Sequence, residues 1–241
     1  MQYQVGINQS YQTFDRFYDD QHSTGLSGSL IHPRATVTGS LTIANRFNQD
    51  GHQVGLSAYP VINDTFYAYL GYDYSPDVIF PEHSIGAELF ASLPKKFEAS
   101  LGLRYLTFAS NASSLVLTGS VSHYRGPWLF MVRPFFIFSD SGNGQALSAN
   151  ARYYYSNTEY FFARGSFGVT ADSRFLLSDN GTFDERQLLL KSQSGGIGVS
   201  HLLTESLTGT ASVDISRREL GFNTGTYVTQ FAFQVGLSYL F

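Results

Sequence analysis

Four arginines stand where they could act together. Arg104, Arg133, Arg152 and Arg164 each fall in a stretch of alternating apolar and polar residues, at positions in step with Ser, Gly and Glu rather than with Leu and Phe. Glu88, Glu98 and Asp214 have the same parity, and Arg46 is a fifth cationic candidate. A stripe of guanidinium groups along one wall of an enclosed space would attract anions into it, as charge rings and stripes do in pores. The same groups could instead pair and brace that space, because buried charges persist mainly when paired and hydrogen-bonded. The two outcomes are compatible.

Other reactive types are sparser. Ser120 or Ser122 with His123, and Ser200 with His201, are the pairs a nucleophilic mechanism would draw on. Residues adjacent in a strand point to opposite faces, so Ser200 and His201 cannot meet directly, and no catalytic set emerges. Asp19, Asp20 and His22, and separately Asp179, Asn180, Asp184 and Glu185, offer oxygen ligands at short spacing, yet neither run has the spacing of a calcium loop. They read as solvated acidic loops, and no metal or cofactor is expected. The chain has no cysteine, which excludes disulfide and thiol chemistry.

The elements that must carry these residues are strands. From Thr229 to Phe241 the odd positions are Thr229, Phe231, Phe233, Val235, Leu237, Tyr239 and Phe241, against Gln230, Gln234, Gly236 and Ser238. The same period recurs at Phe97 to Tyr105, Ile85 to Ala91, Val37 to Ile43, Leu147 to Tyr153 and Leu207 to Ile215. In a soluble sandwich the face opposite the apolar one would be rich in Lys and Glu; here it is Ser, Thr, Gly, Gln and Arg. Of the 241 residues 43% are hydrophobic and only 14% charged, against roughly 25% charged in an average domain. The 21 Phe, 16 Tyr and 23 Gly suit aromatic girdles and curved strands. No apolar run reaches the eighteen residues or so that a membrane helix needs. In lipid the alternative is a closed barrel, which satisfies every backbone hydrogen bond internally. The net charge of −4 argues against a nucleic-acid partner.

Turn signals fall into two alternating sets. Tight breaks lie at His32-Pro33-Arg34, Asn63-Asp64, Leu93 to Lys96, Arg125-Gly126-Pro127, Ser156 to Thr158 and Leu203 to Glu205. Longer or more polar connections are expected at Asp15 to Gly25, Asn48 to Gly51, Ser75 to His83, Ser110 to Ser113, Ser139 to Gln145, Ala171 to Glu185 and Arg217 to Gly225. The spacing predicts an all-β, transmembrane, antiparallel up-and-down barrel of about 14 strands, with 12 or 16 as alternatives. It forms a single domain over 1–241, with short periplasmic turns, longer extracellular loops and both termini periplasmic. Tyr59, Phe66, Tyr124, Trp128, Tyr155, Phe161 and Tyr239 near the tight breaks are read as an interfacial belt. Val78, Ile79, Phe80 and Pro81 are unusually apolar for a loop, which could fold into the mouth or meet a partner. Alternation starts at Tyr3, Val5 and Ile7 without a leader before it, so the start is read as an artificial cut or a mature-form boundary.

Gln234, Gly236, Tyr239 and Phe241 resemble the C-terminal outer-membrane signal read by the barrel assembly machinery. Gly71-Tyr72-Asp73-Tyr74-Ser75, Phe80-Pro81, Leu103-Arg104-Tyr105 and the turn Tyr124 to Trp128 leading to Arg133 resemble the YaiO-like outer-membrane barrel family, from about the fifth strand to the end. Members occur alone or behind helical repeats, and the resemblance implies a surface or export role, often for polysaccharide. The expected protein is a non-enzymatic bacterial outer-membrane barrel. It would act as a narrow channel or platform linked to exopolysaccharide passage, or as a receptor-like barrel with a plugged lumen; an outer-membrane lipid-modifying enzyme is the lesser alternative. Its expected partners are outer-membrane lipid and lipopolysaccharide, the assembly machinery, and a polysaccharide or export complex.

Overall fold

The computed structural model describes residues 1–177, 183–221 and 223–241, and their side chains except at 170–188 and 224. Among these, fourteen strands follow one another. The first seven are β1 (Gln2–Phe14), β2 (Gln21–His32), β3 (Ala35–Arg46), β4 (Gln49–Pro60), β5 (Phe66–Tyr74), β6 (His83–Leu93) and β7 (Phe97–Thr107). The others are β8 (Ser113–Arg125), β9 (Trp128–Ser139), β10 (Gly142–Tyr154), β11 (Tyr160–Leu177), β12 (Phe183–Leu202), β13 (Leu207–Leu220) and β14 (Asn223–Leu240). Each pairs antiparallel with its sequence neighbours, and β14 returns to β1 to close the ring. The closing register runs from Gln4 opposite Leu240 to Phe14 opposite Gln230.

The period-two pattern decides which way each side chain faces. Leu101, Ile197, Val235, Val121 and Leu56 lie on the outer wall, where they are exposed to what surrounds the barrel; Leu101 retains 76% of its accessible surface. Gly, Ser, Thr, Gln and Arg of opposite parity face the lumen. An apolar face turned outward with the polar face inside reverses the arrangement of a soluble barrel and suits one immersed in lipid.

One end, here the turn end, carries both termini and short connections such as Pro33-Arg34 and Gly126-Pro127. The opposite, loop end departs from expectation. Polarity had placed longer connections at Asn48 to Gly51, Ser139 to Gln145, Ala171 to Glu185 and Arg217 to Gly225, but strand pairing runs through most of these. Phe47 and Asn48 form a two-residue turn with φ of 54° and 59°, the left-handed pair that a type I′ hairpin demands. Asp140 and Ser141 alone join β9 to β10. β11 and β12 remain paired from Tyr160 opposite Ser200 up to Leu177 opposite Phe183. Nothing obliges a strand to stop where the apolar slab stops: pairing continues as long as the backbone can extend, and Ala171 to Glu185 holds no proline and a single glycine.

Leu101→Arg places a charge in the middle of the outer wall. It is expected to lower stability by about 2–4 kcal/mol, the cost of a cation at the bilayer midplane, in urea unfolding from phospholipid vesicles. Ser57→Arg, on a lumen-facing position, should cost much less.

Candidate functional site

The lumen has two unlike walls. On one, β1–β4 present Asn8, Gln12, Ser27, Ser29, Thr38, Ser40 and Ser57, all uncharged donors and acceptors. Several bond among themselves, as Ser29 does with Thr38 at 2.8 Å. The facing wall, built from β5–β11, carries both charge and aromatic rings.

Arg104, Arg133, Arg152 and Arg164 share the lumen parity of β7, β9, β10 and β11, but their surroundings divide them. Arg133 Nη1 lies 2.9 Å from Glu88 of β6, with only 18% and 12% of the two side chains' surfaces left open. Ser100 also donates to Glu88, and Ser100 and Ser120 lie 2.7 Å apart, so this carboxylate ends a hydroxyl chain. Arg164 makes a two-pronged contact with Asp214 of β13, Nε to Oδ1 at 2.7 Å and Nη2 to Oδ2 at 2.5 Å. That fork brings charge-assisted hydrogen bonds in a geometry lysine cannot match. Gly196 makes room for it, since a Cβ there would run into the Asp214 carboxylate. Glu98 accepts a hydrogen bond from Tyr67 at 3.0 Å rather than from an arginine. Arg104 and Arg152 have no carboxylate partner among the described residues. Arg104 is exposed to the lumen, and Arg152 lies over the Tyr160 ring at 4.9 Å.

At the turn end, below Arg104, Arg133 and Arg164 and level with Arg152, lies a half-ring of aromatics that sequence reasoning missed. Tyr59 and Tyr69 stand 5.1 Å apart, Tyr67 stacks on Phe90 at 4.6 Å, and Tyr154 meets Tyr160 at 5.2 Å. Tyr59 and Tyr124 had been assigned to an outer belt because they sit beside tight breaks. Their parity gives them away: Tyr59 is in step with Gly55 and Ser57, and Tyr124 with Ser120 and Ser122. Trp128, Phe161 and Tyr239 do face outward.

The connection at 75–82 turns inward. Ile79 and Phe80 are buried with Ala44 of β3, and Arg46 Cζ lies 5.1 Å from the Phe80 ring. Ser75 Oγ donates to the His52 carbonyl at 2.6 Å, and Asp77 Oδ2 accepts from the His52 N–H at 2.7 Å, fastening the segment to β4. The loop therefore narrows the mouth from inside, one of the two roles its apolar run had suggested.

Residues 2–173 match the description YaiO membrane beta barrel domain. The chain belongs to that family. The match takes in the first strands, which the motif resemblance had left out, and stops short of the last three. No curated protein sequence matches the YaiO-family chain. Among solved structures it is similar to a CymD monoaromatic hydrocarbon channel, at TM-score 0.64 and 10% identity over 99% of this chain and 88% of the other. It is also similar to a bacterial polysaccharide outer membrane secretin, at TM-score 0.59 and 8% identity over 99% and 98%. A third is an anion-selective porin from Comamonas acidovorans, at TM-score 0.50 and 12% identity over 100% and 99%. Family and fold together make this an outer-membrane β-barrel of the bacterial outer membrane.

The other candidate residues of this YaiO-family barrel stay apart. His123 faces outward and stacks on Phe97 at 4.2 Å, while Ser120 and Ser122 are buried toward the lumen. His201 faces outward near Glu159, 2.6 Å away, and the Tyr155 hydroxyl, with Ser200 on the other face. Asp19 accepts from Asn48 Nδ2 at 2.8 Å and Asp20 from the Tyr11 hydroxyl, a bond that holds the Asp20 carboxyl below its ordinary pKa. Asp179 and Asn180 lie outside the described residues, and Asp184 and Glu185 are described only as β12 backbone. Gln234 and Gly236 face the lumen, where Gln234 Oε1 lies 3.4 Å from Arg164 Nη2. Tyr239 and Phe241 face outward, their rings 4.8 Å apart.

Arg133→Ala strands the Glu88 charge. It is expected to cost about 3 kcal/mol in vesicle unfolding, the low end for a broken buried pair because the lumen wets it; Arg133→Ala/Glu88→Ala should recover much of that. Gly51→Val would set its Cβ 2.7 Å from Ile79 Cγ1 and 2.9 Å from Asp77 Cβ. The expected result is a released loop, read as faster proteolysis within 75–82.

Proposed function

We infer that this barrel is a passive conduit for a saccharide chain bearing acidic groups, with both termini periplasmic and the loop end outside. The observation that carries this is the pairing of two walls. Arg104 stands above a tyrosine-lined vestibule and Arg152 within it, both without carboxylate partners among the described residues and both facing a wall of hydroxyls and amides. Sugar rings present C–H faces that pack on aromatic faces and hydroxyls that exchange hydrogen bonds with Ser, Thr, Gln and Asn. Carboxylate or sulfate substituents would be met by the open guanidinium groups. Several weak, repeated contacts suit passage better than one tight site, because conduction requires release as well as entry. A polysaccharide secretin and an anion-selective porin share the fold, in keeping with this reading. The lumen holds no serine–histidine pair within reach among the described residues, and we take the chain as non-enzymatic.

A second reading, a plugged barrel serving as a surface receptor or platform, draws on the inward loop at 75–82 and the ion pairs Arg133–Glu88 and Arg164–Asp214. Planar-bilayer recording separates the two. The conduit should give single-channel steps with anion preference, which Arg104→Glu/Arg152→Glu reverses, and acidic oligosaccharide should block the current. Silence at high voltage, with or without Gly51→Val, would favour the plugged barrel.

A further inference from the structure

The outer wall of β11–β14 changes character at one height. Outward residues on β13 run Leu207, Gly209, Ala211, Val213, Ile215 and then Arg217; on β12 they run Val199, Ile197, Gly195 and then Gln193 and Lys191. The eight steps from Leu207 to Ile215, at about 3.4 Å each and tilted by about 40°, span roughly 20 Å, close to the height of an apolar band. Arg217 therefore stands where the hydrocarbon ends. Among the described residues, Lys191 and Arg217 are the two strand cations that face outward in the loop half of the barrel.

These two cations share one recess. The register sets Phe167 opposite Gln193 and Gln193 opposite Arg217, with Val169 opposite Lys191 in the next row. Arg217 Cζ lies 4.5 Å from the Tyr227 ring. Phe167, Lys191, Gln193, Arg217 and Tyr227 surround a volume of about 440 Å³. The neighbouring Glu219 carboxylate is held by the N–H groups of Lys191 at 3.1 Å and Gly225 at 2.8 Å. The Lys191 charge acts on it from nearby, but no side-chain nitrogen of either cation comes within ion-pair distance of it among the described residues. On the apolar part of the same wall a second recess, of about 650 Å³, is lined by Ala151, Ala163, Ala211, Ile197, Val213 and Phe233. Small side chains there hollow the surface between large ones.

We propose that the upper recess holds a phosphate of a phosphorylated, acylated glycolipid of the outer leaflet, with one acyl chain lying in the apolar recess below it. Two cations at the hydrocarbon border match a headgroup phosphate, each contributing favourable energy at the membrane surface. Gln193 and Tyr227 add donors for sugar hydroxyls, and the stacked arrangement matches a molecule that is anionic above and aliphatic beneath. The inference rests on the orientation proposed above, with the loop end outside.

The test is native mass spectrometry of the purified barrel in detergent, titrated with bis-phosphorylated lipid A, with phosphatidylglycerol and with inorganic phosphate. Lys191→Gln/Arg217→Gln should weaken lipid A binding about tenfold, while Lys95→Gln/Lys96→Gln at the turn end leaves it unchanged. Heat-modifiable gel mobility verifies that each variant is folded, and the milder Lys191→Gln alone should show an intermediate loss. Equal loss in the turn-end variant, no loss in the double variant, equally tight phosphatidylglycerol, or displacement by millimolar inorganic phosphate would each overturn the proposal. Binding in detergent does not depend on orientation, which is read separately by whole-cell labelling of Ser141→Cys with an impermeant maleimide. Labelling is expected; its absence would put the recess in the wrong leaflet and remove the glycolipid as occupant.

Discussion

Every strand in this barrel owes its position to the pairing of β1 with β14. In hydrocarbon an unpaired row of N–H and C=O groups has no water to fall back on, and each would cost several kcal/mol. A fourteen-strand sheet left open at one seam would thus fail as a whole. The eleven residue pairs from Gln4–Leu240 to Phe14–Gln230 remove both edges at once. They also fix the stagger of the sheet, and with it the height at which each lumen residue sits. The Arg164–Asp214 fork, spanning β11 to β13, depends on that stagger. So does the reach of Arg133 from β9 to Glu88 on β6, across the two strands between them.

Closure leaves a division of labour between the faces. Outside, stability comes from apolar side chains matched to lipid, and substitutions are judged by depth. Inside, packing is incomplete and electrostatics governs. Two arginines are neutralised by carboxylates and hold strands in relation to one another, while Arg104 and Arg152 have no carboxylate partner among the described residues. The lumen combines bracing and attraction in neighbouring residues of one type, so substituting a single arginine need not report on both roles.

Much of this was legible in the chain because a period of two is a strict rule. It placed Arg104, Arg133, Arg152 and Arg164 on one face and gave a strand number near 14. The pairing of Arg133 with Glu88 was less accessible, because register between non-adjacent strands depends on barrel shear, which one sequence does not encode locally. Tyr59 and Tyr124 were misplaced by a rule about aromatics near interfaces when their own parity pointed inward. Ala171 to Glu185 looked like a loop because it is polar, yet polarity marks exposure to water and not the end of backbone pairing. Strands that leave the membrane keep their ladder while their outward side chains become hydrophilic.

The unequal lengths of the strands also shape the opening. β12 has twenty residues and β5 has nine, and six strands lie between them either way around the ring, so the tallest and lowest parts of the rim stand opposite each other. The difference of eleven residues amounts to on the order of 25 Å of height for tilted strands. In the proposed orientation, an aperture cut on such a slant does not look straight out from the cell. On the proposed conduit reading, a polymer emerging from it would meet a palisade on one side and open space on the other, and would be turned sideways to run along the surface, leaving over β5 and the inward-folded segment at 75–82. The barrel would then set the direction of travel without any moving part.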